Sequence, residues 1–228
     1  MMSDHSASPT RPSTRPSARR AWLASALVAG LLGMTMLAAC DKVSAPTPKA
    51  AAAPKFNAVD ITGAEYARKL DLTDFDDKPR TLADFKGKVV FVFFGFTQCP
   101  DVCPTTMAEL AEVRRRLGAD GNRVQGVFVT VDPERDKASV LKAYLQGMDP
   151  TFVGLRGSLD QTEAVAREFK VFYQKVPTKN GGYTMDHTAG AFIFDTDGQV
   201  RLFARYGMKV EELAADIKQL LALPAVSK

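Results

Sequence analysis

One stretch limits the possible folds of this chain more than any other: FVFFGFTQCPDVCPTTMAE, residues Phe91–Glu109, passes from an apolar block through a turn with two cysteines into a helical pattern. Val89–Phe94 is β-branched or aromatic throughout, the pattern of a strand buried on both faces. Gly95 to Pro100 reads as a turn. Pro104 suits the first turn of a helix, where its missing N–H costs nothing. Met107, Leu110, Ala111, Val113 and Leu117 then give that helix an apolar side. Cys99 and Cys103 are therefore expected in the strand-to-helix loop, at the positive end of the helix dipole. Thiolates are favoured there and thiol pKa values fall. Such a place suits reactive or metal-binding sulfur.

The supply of soft or titratable ligands is small. The 228 residues include three cysteines and two histidines. Cys40 ends an N-terminal apolar segment and His5 precedes it, so the remainder holds Cys99, Cys103 and His187. Any soft-metal or redox chemistry must draw on those three. Arg11, Arg15, Arg19 and Arg20 against Asp4 give residues 1–39 three of the chain's four net positive charges. The basic balance thus belongs to the leader, and without a basic stripe carrying interleaved aromatics, no nucleic-acid partner is expected.

Residues 1–20 are polar and rich in Ser, Pro and Arg. Arg19-Arg20 then precede the apolar run Ala21–Leu37, a positive n-region and an apolar h-region of a secretory signal. As an uncleaved anchor, 17 residues would be at the short end for spanning a bilayer. Leu37-Ala38-Ala39-Cys40 resembles the lipobox of bacterial lipoproteins, in which the cysteine is acylated and becomes the mature N-terminus. The expected organisation is a lipoprotein signal over 1–39, then the lipidated Cys40 and an Ala-, Pro- and Lys-rich tether to residue 55. One domain over 56–228 follows, long enough for a real core.

Within that domain Lys69–Phe75 and Thr81–Phe85 flank the turn Asp76-Asp77-Lys78-Pro79, a short hairpin before the central strand. Val124–Val131 reads as a second buried strand, Asp132 to about Gln146 as a helix, and Phe152–Leu155 as a short strand. Leu159–Phe169 reads as a helix with Asp160 as a cap. Pro177 and Asn180-Gly181-Gly182 suggest a hairpin within Lys170–Tyr183. Ala189–Asp195 and Gln199–Tyr206 are strands joined at Asp197-Gly198, and Val210–Leu221 is a closing amphipathic helix. This order predicts an α/β domain of thioredoxin type, a central mixed sheet flanked by helices with an N-terminal extension.

Cys99 and Cys103 are four apart, one more than in the C-x-x-C of thioredoxins. As a dithiol the pair can cycle to a disulfide; as thiolates it is a soft clamp that selects Cu(I) or zinc over hard ions. Two buried structural cysteines, or an inert structural disulfide, suit a proline-flanked loop at a helix N-terminus poorly, since apolar packing is not the natural role there. His187 is the residue that separates these readings. In a thioredoxin-type fold the loop before the strand at Ala189 packs beside the cysteine loop. This would yield a Cys₂His site with an open or weak fourth position, suited to copper in either oxidation state. Zinc at a structural site would want a fourth protein ligand.

The segments GKVVFVFFGFTQCPDVCPTTMAEL, FVTVDPERD and YTMDHTAGAFIFD together resemble the SCO/SenC family of copper-binding, membrane-tethered thioredoxin-fold proteins, from about Phe56 to Leu221. The resemblance implies copper ligands at Cys99, Cys103 and His187. It also implies a role in cytochrome c oxidase assembly, by delivering Cu(I) or Cu(II) to the dinuclear site of subunit II or by reducing the thiols of that site. That is a metallochaperone rather than an enzyme with turnover, lipid-anchored in a bacterial envelope at the periplasmic face of the inner membrane. Gln98 stands where many members carry histidine, Met185 replaces a more usual valine and Thr188 a serine; none touches a ligand.

Two enzyme readings stand beside it. A thiol–disulfide oxidoreductase would need the cysteine pair without His187, and a peroxiredoxin-type peroxidase would use Cys99 or Cys103 as the peroxidatic thiol. The spacing of the pair and the downstream histidine argue against both. Asp132 and Asp136 match the family motif, but Asp132 before Pro133 also reads as an ordinary helix N-cap. Met185 reads as packing, and Asp195-Thr196-Asp197-Gly198 as a hairpin turn rather than a calcium loop.

Overall fold

The computed structural model describes residues 55–224. The expected signal, Cys40 and most of the tether lie outside the described residues. A short strand β1 (Val59–Asp60) precedes the hairpin β2 (Asp71–Asp74) and β3 (Pro79–Thr81). A 3-10 turn (Leu82–Phe85) leads into β4 (Val89–Gly95). Next come α1 (Val102–Arg116), β5 (Val124–Thr130), α2 (Ala138–Gln146), β6 (Val153–Arg156) and α3 (Leu159–Glu168). The hairpin β7 (Tyr173–Pro177) and β8 (Tyr183–His187) follows, then β9 (Gly190–Phe194), β10 (Val200–Arg205) and α4 (Val210–Ala222).

One eight-stranded sheet runs in the order β1-β10-β9-β4-β5-β6-β2-β3, while β7 and β8 pair only with each other. β4 and β5 lie parallel at its centre, from Val89 opposite Val124 to Gly95 opposite Thr130. Both are buried at every position. β4 is apolar throughout, as burial under layers on both faces requires, while β5 also buries Gln125 and Thr130, which donate to the Thr151 carbonyl and the Asp136 carboxylate. β9 pairs antiparallel with β4, and β10 with β9. This is the expected mixed sheet with flanking helices, a thioredoxin-like arrangement.

α1 explains how the first cysteine motif is mounted. Cys103, Thr106, Met107, Leu110 and Val113 are its buried residues, spaced three or four apart so that they share one face. Arg114, Arg115 and Arg116 fill its last turn, where cations complement the dipole. Burying Met107, Leu110 and Val113, each 0% exposed, is worth roughly 1.5–3 kcal/mol apiece. That packing fixes the helix over the central strands.

Several boundaries differ from the sequence expectation. α2 begins at Ala138, not at Asp132, because residues 132–136 form a separate turn. The amides of Arg135 and Asp136 bond the Asp132 carbonyl at 3.2 and 2.9 Å, and Lys137 is extended. Asp132 is therefore not the cap of α2. The cap of α3 is Ser158, not Asp160. The Ser158 Oγ accepts from the Gln161 amide at 3.2 Å while the Gln161 side chain accepts from the Ser158 amide at 2.9 Å. Between β9 and β10 the Asp195 carboxylate accepts from the amides of Asp197 and Gln199, with Gly198 at φ 78°. That is the expected hairpin turn. Met185 is buried in the core, also as expected.

Candidate metal centre

The site begins where β4 runs out. Gly95, its last residue, lies so close to α1 that an added Cβ would sit 2.9 Å from Cys103 Sγ and 2.9 Å from the Phe93 ring. A glycine is needed here for close approach, not for an unusual backbone angle. After it the chain turns, with the Cys99 amide bonding the Phe96 carbonyl at 3.2 Å. Cys99 is left half-exposed in the turn. Cys103 is not in the loop, as the sequence reading had it, but in the first turn of α1, and is 0% exposed. Both are free thiols.

Burial works against the acidification that a helix N-terminus predicts for thiols. At Cys103 the loss of water pushes the thiol well above the usual range, reinforced by the neighbouring Cys99. The expectation of a low pKa thus fails for Cys103, because its sulfur is sealed under the turn. The Cys99 sulfur faces a better donor: the Cys103 amide points at it from 3.3 Å.

His187 closes β8 and reaches the pair from across the fold. Its Nε2 lies 3.5 Å from Cys103 Sγ, and its Nδ1 lies 3.0 Å from the Thr188 carbonyl oxygen. A carbonyl only accepts, so Nδ1 carries the proton of the neutral ring and Nε2 turns a lone pair toward the sulfurs. The ring packs edge-on against Phe93 and Phe96, each 5.9 Å between centroids. Burial in that aromatic setting lowers the imidazole pKa, opposed by the Thr188 bond and the Asp186 charge. The neutral, ligating form is the favoured one.

The donor atoms of Cys99, Cys103 and His187 all lie within 4.8 Å of one another. Donors around one ion at roughly 2.0–2.3 Å stand up to about 4.6 Å apart. The three residues therefore fit a shared ion with shifts of a few tenths of an ångström. Two sulfurs and an imidazole nitrogen, with no carboxylate among them, favour a soft or borderline ion.

A second set of residues, missed as a group from sequence, supports this one. Asp136, 1% exposed, accepts from the Thr97 amide at 3.0 Å, the Thr97 hydroxyl at 2.6 Å and the Thr130 hydroxyl at 2.6 Å. It pins the cysteine turn two residues before Cys99. Burial raises its pKa, opposed by the Thr130 and Thr97 bonds. Asp132, also 1% exposed, pairs with Arg135 and accepts from the Tyr183 hydroxyl at 2.9 Å. The signal was present in VDPERD, but Asp-Pro also spells a helix cap, and nothing local says that its carboxylates point inward.

Fold and site together define a thioredoxin-like domain whose dithiol and neighbouring imidazole form a candidate soft-metal site. The model of the SCO1/SenC family matches residues 58–222, and the chain belongs to that family. It is 35% identical over 154 residues to the mitochondrial SCO2 homolog of Mus musculus, covering 66% of this chain and 60% of that protein's length. Among solved structures, Bradyrhizobium japonicum ScoI with copper bound is 43% identical, with a TM-score of 0.61 over 67% of this chain and 97% of that one. A SCO1/SenC family lipoprotein from Bacillus anthracis is 28% identical, with a TM-score of 0.57 over 67% of this chain and 92% of that one.

Proposed function

We propose that this chain is a copper metallochaperone of cytochrome c oxidase assembly, binding its cargo through Cys99, Cys103 and His187. The carrying observation is the convergence of two thiols and an unprotonated Nε2 within 4.8 Å. Support comes from the copper-bound ScoI of Bradyrhizobium japonicum, 43% identical to this chain. Cu(I) is satisfied by two soft thiolates, whereas Cu(II) calls on the imidazole as well. The recipient is the dinuclear copper site of subunit II or another copper or thiol target.

The test is an anaerobic titration of the reduced and the Cys99–Cys103 oxidised forms with Cu(I). The reduced protein should take up one equivalent and the oxidised protein none, since a disulfide has neither thiolate charge nor free soft donors. Equal uptake by both forms would overturn the reading. Cys40, acylated, supplies the membrane anchor at the periplasmic face, and a diacyl anchor holds where one chain is marginal. Cys40→Ala should yield unprocessed, unlipidated protein by mass spectrometry. A mature, membrane-bound protein cut before residue 40 yet carrying no lipid would remove the lipoprotein from the proposal.

A second reading, reduction of target thiols, is favoured by one observation. Cys99 is half-exposed with the Cys103 amide on its sulfur, while Cys103 is buried behind it. Such a pair can act in sequence. The Cys99 thiolate attacks a target disulfide and expels one target thiolate, forming a mixed disulfide. Cys103 then attacks Cys99 through its sulfur, its proton passing to the departing second target thiolate. The protein dithiol ends oxidised, the target disulfide ends as two thiols, and the two protons pass from one pair to the other. If this is the dominant role, stoichiometric reduction of a subunit II disulfide survives in His187→Ala; if that variant reduces nothing, the second reading fails.

A further inference from the structure

The cysteines follow β4 of the eight-stranded sheet, in the turn and α1, whereas His187 ends β8 of the two-stranded ribbon, and among the described residues no strand pairing joins β8 to the larger sheet. The turn at residues 132–136 lies between them and bonds to both. Arg135 touches each with a single nitrogen. Its Nη1 donates to Gln98 Oε1 at 3.0 Å, next to Cys99, and to the Tyr183 carbonyl at 2.8 Å, at the start of β8. The guanidinium stacks on the Tyr183 ring at 3.8 Å and stands 5.9 Å from the Phe96 ring. Phe96 in turn packs edge-on against His187. Asp132 holds this arrangement from below, pairing with Arg135 Nε and accepting from the Tyr183 hydroxyl. A carboxylate only 1% exposed is stable in the fold only because both partners are in place.

We propose that Arg135 is a positioning residue that locks the histidine arm against the cysteine turn, and so governs the copper state that needs the imidazole. This rests on the copper-binding reading above. The planar fork of an arginine suits the task, since one rigid group serves two acceptors and a ring face together. Lysine keeps the charge beside Asp132 but is a point donor on a flexible stem, so it satisfies the carboxylate and loses the bridge. Loss of the bridge leaves the thiols where they are, because Asp136 and α1 hold the cysteine turn by separate contacts. The consequence falls on His187 alone.

The test uses Arg135→Lys, with the neutral double variant Arg135→Met/Asp132→Asn as a second probe in case either change alone disturbs folding. In the metal-free protein, amide exchange at Thr184–His187 should speed up while the amides of β4 and β5 keep their wild-type protection. On titration, Cu(II) affinity should fall on the order of 10-fold, as when an outer-shell partner of a ligand is lost. Cu(I) affinity should stay within the scatter of the measurement. The deciding arm repeats both titrations in a His187→Ala background, where Arg135→Lys should change nothing further. Unchanged β8 exchange, an equal fall for both copper states, or an undiminished Cu(II) loss without His187 would each overturn the proposal. If wild-type protein bound no copper, the copper reading would fall by that result, and the exchange experiment would still decide whether Arg135 ties the two arms.

Discussion

The cysteine arm and the histidine arm meet at one site but are held there by different means. Cys103 is fully buried on the stripe that seats α1, beside a strand in which all seven residues are buried and both edges are paired. His187 ends a two-stranded ribbon in which Met185 is the one buried position. That ribbon reaches the core through Met185, with Tyr173 and Tyr183 half-buried against it and the His187 ring on Phe93 and Phe96. The rest of its hold is polar: Arg135 and Asp132 to Tyr183, and the exposed pair Glu134–Lys175, which adds little. Core packing is close-fitted and hard to displace; a few polar ties over a small ribbon can open locally at far lower cost. The dithiol is thus the fixed half of the site and the imidazole the adjustable half. That division would suit the proposed copper cargo, because Cu(I) and Cu(II) would both use the sulfurs and Cu(II) would make the greater demand on the nitrogen.

The largest effects should separate the halves outright. Cys103→Ser should abolish tight binding of Cu(I) and Cu(II) alike, because an alcohol is a hard donor that stays protonated. His187→Ala should lower Cu(II) affinity by roughly 100-fold or more, above the range typical of losing an outer-shell partner, and Cu(I) by much less. Paired titrations followed by the thiolate-to-Cu(II) charge-transfer band provide the measurement. A His187→Ala protein with the wild-type Cu(II) spectrum and affinity would remove the histidine from the site and leave the two arms unconnected.

A smaller effect probes the fixed half. An alanine Cβ at Gly95 would lie 2.9 Å from Cys103 Sγ and 3.0 Å from the Phe128 ring. The clash is between a main-chain substituent and buried groups with nowhere to go, so Gly95→Ala should cost about 1–3 kcal/mol. For a domain of this size that is a fall in Tm of about 2–4 °C per kcal/mol, measurable by calorimetry. A variant with wild-type Tm would show that the cysteine turn yields, and the contrast with the ribbon would lose its basis.

These contrasts also mark what could be read without the structure. The strand, turn and helix around the cysteines were legible because their evidence is local: an apolar run, a glycine–proline turn and residues three and four apart. The approach of His187 was not local, and was expected only because a thioredoxin-type order brings its loop beside the turn. Burial of Cys103 runs against the expectation that cysteines flanking prolines in a loop do not pack as apolar residues, and nothing in C-P-D-V-C tells which sulfur is sealed. The tie at residues 132–136 was misread for the same reason. Its partners lie 37 to 51 residues away, at Gln98, Thr97 and Tyr183, while Asp-Pro offers a nearer explanation as a cap. β1, two exposed residues, has no period to detect.

The smallest expected effect is on the pH dependence of folding, and it reads both arms at once. Burial lowers the His187 pKa below its ordinary 6.5 and raises that of Cys103 above its ordinary 9.0. Between the folded value and 6.5 the unfolded chain binds the extra proton at His187, so stability rises with pH there and is lost as pH falls through the folded value. At Cys103 the folded state keeps a proton that the unfolded chain releases above 9.0, so stability is complete below that pH and declines as pH rises beyond it. These two groups therefore predict a plateau between about 6.5 and 9.0 with a shoulder on each side, neither steeper than about 1.4 kcal/mol per pH unit per group. Urea midpoints across pH 5 to 10 measure it. His187→Ala should flatten the acid shoulder and leave the alkaline one, while Cys103→Ser should do the reverse. If one substitution moved both shoulders, the arms would be energetically coupled in the metal-free protein, and the division into a fixed dithiol and an adjustable imidazole would not stand.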